Sequence, residues 1–150
     1  MLPMSYINMQ CKIVAGCFRL SGADGIDSED FAKQMMTSDY GVMVLTDKRM
    51  VEYSCDTFMY EGVQRNLKLK HGKTYESYVL EFAGYLYKYW ISTRNEKPQK
   101  IYKMAPLSLI ASRIVLYTLE DVDYAIDDII ARHQIDTKAV SYTHLRAHET

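Results

Sequence analysis

Tyr75-Glu76-Ser77-Tyr78-Val79-Leu80-Glu81-Phe82-Ala83-Gly84-Tyr85-Leu86-Tyr87-Lys88-Tyr89-Trp90-Ile91-Ser92-Thr93 is the stretch whose reading decides the fold class. At helical spacing Tyr78, Phe82, Tyr85 or Leu86, and Tyr89 make one apolar stripe, with Val79, Ala83, Tyr87 and Trp90 beside it. A helix that is apolar over more than half its circumference belongs inside a helical bundle. The spacing therefore predicts a helix over about 75–93, with Thr74 as its N-cap and with Phe82 and Trp90 in the core. Gly84 costs such a helix about 1 kcal/mol relative to Ala. That cost points to a close backbone crossing by another helix.

The neighbouring segments read the same way. Ile7, Cys11, Val14 and Phe18 recur at helical spacing over 5–20, and Ser21-Gly22-Ala23-Asp24-Gly25 ends that helix. Asp27 offers an N-cap side chain to a helix that presents Phe31, Met35 and Met36. Residues 40–50 suit a buried strand as well as a helix; helix is preferred because no partner strand is evident. A helix over 54–66 carries Phe58, Met59 and Val63 on one side, and a basic connector spans 67–73. Lys97-Pro98 opens a short helix through Met104, since proline does least harm at a first helical position. Pro106 opens the next, with Leu109, Ile110, Ile114 and Leu116 as its core face. Thr118-Leu119-Glu120-Asp121 loosely fits a capping box before a last helix burying Val122, Ile126, Ile129 and Ile130. The expected fold is all-α: one bundle of six to eight helices around the central aromatic helix at about 75–93.

Length and composition bound the rest. The 150 residues, 48% hydrophobic and 25% charged, suit one ordinary globular domain. No apolar run approaches the ~20 residues of a membrane helix, and Lys12 is the first positive charge, so no signal peptide is expected. Three cysteines leave an odd thiol, which suits a reducing cytoplasm. Net charge is −1, but it is unevenly spread. Residues 1–64 hold five basic and nine acidic side chains, residues 65–103 nine and three, and residues 104–139 three and six. A basic middle between acidic ends either attracts an anionic partner or is neutralised when the parts fold together.

Val140-Ser141-Tyr142-Thr143-His144-Leu145-Arg146-Ala147-His148-Glu149-Thr150 resembles one reading frame of a transposase-type sequencing adapter. It is read as an artefactual, disordered tail on a domain of residues 1–139 whose natural end is truncated. With His144 and His148 set aside, His71 and His133 have no paired cysteines to complete a zinc site.

Chemistry-bearing motifs are weak throughout. Gly72-Lys73-Thr74 lacks the upstream glycine of a phosphate-binding loop, because position 67 is leucine. Glu120, Asp121, Asp123, Asp127 and Asp128 lack the alternating oxygens and glycine of a calcium loop. Cys11, Cys17 and Cys55 fall on apolar faces, where buried thiols are the ordinary outcome. No catalytic residue, metal or cofactor is expected, and the chain is not read as an enzyme.

Gly84-Tyr85-Leu86-Tyr87-Lys88-Tyr89-Trp90, then Ile101-Tyr102-Lys103-Met104-Ala105-Pro106, then Thr118-Leu119-Glu120-Asp121 with Ala125-Ile126-Asp127-Asp128, resemble a family of small helical proteins of clostridial gut bacteria. The matching motifs lie within about residues 74–130. Tyr117 stands where the family has histidine, and Glu120 where aspartate is commoner. The family's genes often lie beside one resembling an ADP-ribosyltransferase toxin, so the resemblance implies an antitoxin-like partner role. The expectation is a non-enzymatic protein-interaction module. Its docking face would be the basic, aromatic surface of Tyr85, Lys88, Arg94, Lys100, Tyr102 and Lys103, because hot spots favour Tyr, Trp and Arg. The alternative is an RNA- or DNA-binding regulator that tracks phosphates with Arg65, Lys68, Lys70 and Lys73.

Overall fold

Two long helices, α1 (Met4–Ala23) and α5 (Ser77–Arg94), form the most extensive packing pair. The computed structural model describes residues 2–50 and 55–149, with side chains as far as residue 139. Gly84 is what lets α1 and α5 meet. A Cβ there would sit 2.9 Å from the Val14 carbonyl oxygen and 3.0 Å from both the Ala15 Cα and the Phe18 ring. The close crossing expected from this glycine is present, and it sets the rotation of α5. The buried arc is Val79, Leu80, Ala83, Leu86, Tyr87 and Trp90, while Tyr78 is 57% exposed and Phe82 half-buried. The stripe that began with Tyr78 is thus not the core face; Trp90 is core and Phe82 lies at its margin.

The remaining elements are α2 (Ser28–Thr37), α3 (Asp39–Thr46), α4 (Asp56–Asn66), α6 (Pro98–Met104), α7 (Leu107–Ser112), α8 (Ile114–Thr118) and α9 (Val122–Glu149). The described residues therefore form nine helices and no strand, rather than six to eight helices. The extra one arises where 107–118 breaks at Arg113, whose φ of −113° and ψ of 15° re-aim the chain. This break turns Leu116 outward and Tyr117 inward, so Tyr117 is buried and its hydroxyl donates to Asp128 Oδ2 at 2.7 Å.

Side-chain caps mark the starts of α2, α3 and α9, from Asp27, Ser38 and Asp121. Asp27 accepts from the Asp30 amide at 2.9 Å, as expected. Thr74 is not the cap of α5. The Ser28 amide donates to the Lys73 carbonyl, and the Tyr75 amide to Ser28 Oγ, which holds 73–75 extended until Ser77. The connector also pairs with the 25–28 turn through an isolated antiparallel bridge, Ile26–His71, with Gly25 at φ 74°. Helix α3 is helix rather than strand but stops at Thr46, four residues short of the expectation, because Asp47 is extended. Thr118 does not cap α9. Its hydroxyl turns back to the Ile114 carbonyl, and Asp121 accepts from the Tyr124 amide at 2.9 Å instead. In α4 the buried side is Met59, Tyr60 and Val63; the Tyr60 hydroxyl reaches Asp24, which leaves Phe58 57% exposed. Helical backbone continues through residues 140–149, where the sequence predicts an irregular tail, and side chains 131–139 are exposed.

Among the described residues, no helix is long and apolar enough to cross a membrane.

Candidate functional site

Helix α3 creates a problem at its C-terminal end, where the last carbonyls of any helix lack intrahelical partners. Here the solution comes from outside. Lys88, on α5 and only 1% exposed, donates from Nζ to the Leu45 carbonyl at 2.7 Å and to the Asp47 carbonyl at 3.4 Å. A cation at a helix C-terminus also complements the helix dipole. Helix α1 secures the following residues: Gln10 Nε2 donates to the Lys48 carbonyl at 2.7 Å, and the Tyr6 hydroxyl to the Arg49 carbonyl at 2.6 Å. Gln10 Oε1 is buried and has no donor among the described residues.

One turn beyond Lys88, α5 buries Ile91 and then ends at Asn95, whose left-handed backbone (φ 50°) reverses the chain. Lys97 and Pro98 start α6 directly afterwards. The reversal leaves a cavity of about 660 Å³ between the ends of α1, α3, α5 and α6. Its walls include Ile7, Leu45, Ile91 and Pro98, the lysines Lys48, Lys88 and Lys97, and polar residues such as Thr46, Ser92 and Asn95. Glu96 is the acid among the described lining residues, and its carboxylate lies 3.6 Å from Lys100. The size matches pockets that enclose small molecules.

Burial lowers the affinity of Lys88 for its proton to a pKa of about 8, opposed by the nearby Cys11 and Asp47. Burial pushes the Cys11 thiol the other way, up to about 12, and raises Cys17 as well. Both therefore stay protonated near neutral pH. They are buried thiols rather than thiolate nucleophiles. Among the described residues, no group of three or more His, Cys, Asp or Glu side chains is placed to hold a metal ion.

The six residues expected to share a docking face have separate surroundings. Lys88 is inside the cavity wall, and the Tyr85 hydroxyl donates to Asn8 at 2.9 Å. Arg94 pairs with Asp127 at 2.8 Å and Asp123 at 3.3 Å, fastening α9 to α5. Tyr102 donates to Glu29 Oε2 at 3.1 Å on α2. Lys100 and Lys103 are exposed. Arg65, Lys68, Lys70 and Lys73 are exposed too, but acid lies alongside them. Gly72 abuts Asp27, and Gln34 joins Asp30 to the Lys68 carbonyl.

Lys48, Lys97, Leu45 and Ile91 were not singled out by sequence. The signal that could have found the cavity is Lys88 itself. It stands between Gly84 and Ile91 at helical spacing, a cation on a face that is otherwise buried. No family model, curated protein or solved structure matches the chain.

Proposed function

We propose that this chain is a non-enzymatic interaction module and that the cavity between α1, α3, α5 and α6 is its recognition site. One observation carries the reading: a hollow of about 660 Å³ with Ile7, Leu45, Ile91 and Pro98 as its buried apolar floor is bordered by three lysines, while its lining acid is already engaged by Lys100. An apolar floor with a polar rim is the arrangement in which binding energy concentrates. Nile red, a neutral apolar dye, tests it. Its fluorescence should rise on binding and fall away in Val42→Trp and Ser92→Trp, both of which fill the cavity. Val115→Glu with Leu119→Glu, which removes the exposed apolar side chains of α8 and its flank, should leave the signal intact. Unchanged dye uptake in both cavity-filling variants contradicts the reading.

The protein-partner reading, including an antitoxin-like role, draws support from Lys97, an exposed residue of the cavity wall, and from exposed Lys103 on the adjoining α6. Such charges steer an acidic partner. Co-expression with the neighbouring gene product tests it: a complex should form and be weakened by Lys97→Glu with Lys103→Glu. The nucleic-acid alternative rests on the exposed 65–73 lysines, and the acids of α2 beside them reduce its pull on phosphates. It requires steep loss of affinity with salt.

A further inference from the structure

We infer that the cavity binds a small monocarboxylate with an unbranched hydrocarbon body, its head group toward Lys88. The inference rests on the cavity's reading as a recognition site and names the ligand class. Three features of the geometry select it.

First, Lys88 is a buried cation supplied with neutral acceptors only. Its two hydrogen bonds go to backbone carbonyls, and no carboxylate pairs with it among the described residues. An ammonium group has three donors, so one proton remains for a further acceptor. A buried charge with no carboxylate bonded to it bears a desolvation cost that an anion offsets, and a charge-assisted hydrogen bond is stronger than a neutral one. Second, the charges around the site are complementary to one anion. Lys48 and Lys97 also line the cavity, from the segment after α3 and from the start of α6. Cys11 faces Lys88 from α1, and its raised pKa keeps it an uncharged thiol. Asp47 offers its carbonyl, and its carboxylate, which makes no ion pair with Lys88, also favours the ammonium form; Glu96 is held by Lys100. Third, much of the wall is hydrocarbon, from Ile7, Leu45, Ile91 and Pro98, with polar residues such as Thr46 and Ser92 sharing it. The described lining holds no arginine for the bidentate pairing that phosphates favour. A single head with an apolar tail fits one buried ammonium and an apolar hollow.

Calorimetric titration with decanoate, decanol and decylammonium tests the assignment on the whole chain. Decanoate should bind most tightly at about pH 7, decanol at least ~10-fold more weakly and decylammonium not measurably. Lys88→Met should weaken decanoate at least ~10-fold while leaving decanol within about twofold. Circular dichroism establishes whether that variant folds. If it does not, the unaltered chain still decides. Raising the pH to about 9.5 depopulates the charged form of Lys88, so decanoate should weaken by roughly tenfold or more and decanol should not. Decanol binding as tightly as decanoate, or decanoate indifferent both to Lys88→Met and to pH, overturns the carboxylate assignment and leaves the recognition site standing. If neither compound binds and Nile red is also ignored, the recognition site itself is refuted.

Discussion

Gly84→Ala changes one hydrogen to a methyl group, and two opposed effects fix its outcome. In an isolated helix alanine gains about 1 kcal/mol over glycine. At this crossing the new Cβ would lie 2.9 Å from the Val14 carbonyl oxygen and 3.0 Å from the Ala15 Cα. Carbon contacts prefer ~3.5–4.0 Å, so α1 must retreat by several tenths of an ångström. Two of the three obstructing atoms are backbone, which cannot swing aside as a side chain can. Overpacking of this kind costs ~1–3 kcal/mol. The net expectation is a loss of up to about 2 kcal/mol, or up to roughly 8 °C in Tm for a chain of this size. Urea denaturation followed by circular dichroism measures it, and Gly84→Val should lose more. The sign is decisive: a stabilisation near 1 kcal/mol would mean that α1 and α5 do not cross here.

Trp90→Ala should cost ~3–5 kcal/mol as a buried aromatic and leave the chain unfolded or aggregating; a cooperative melt close to the parent's contradicts that placement. A thiol reagent at about pH 8 should modify half-buried Cys55 first, with Cys11 and Cys17 reacting only on unfolding. Comparable rates at all three sites would refute their burial. Stability against pH should also separate the parent from Lys88→Met. The folded pKa of Lys88, about 8, lies below the ordinary 10.5, so between those values the unfolded chain holds more protons and stability gains with pH. Raised thiol and tyrosine pKa values oppose this gain at higher pH in both proteins. The difference between them should therefore shift in the parent's favour over about pH 8–10.5, and a difference independent of pH contradicts the burial of Lys88.

Much of the helical order was legible because it depends on local patterns. Asp27 caps α2 through its own side chain, Pro98 opens α6, and Gly84 marks a crossing. The errors lie where a distant segment decides. Thr74 is a good cap by type, yet Ser28 holds the chain beside it extended. Tyr78 fits an apolar stripe, but the approach of α1 at Gly84 rotates the helix and exposes it. The same limit hid the cavity. Its walls come from α1, α3 and the α5–α6 junction, which are far apart in sequence, and the basic residues grouped by position around 85–103 part company in space. Lys88 goes inward to the end of α3, Arg94 outward to α9, and Tyr102 across to α2. Charge counted along the chain could not tell a buried cation from a solvated one.

The most direct test of recognition at the cavity is the side-chain NMR titration of Lys88, followed at its Cε with and without saturating decanoate. An anion held against the ammonium favours its charged form, so the midpoint should rise from about 8 toward the ordinary lysine range while exposed Lys103 stays where it was. A Lys88 midpoint unmoved by decanoate would contradict the binding site at the cavity.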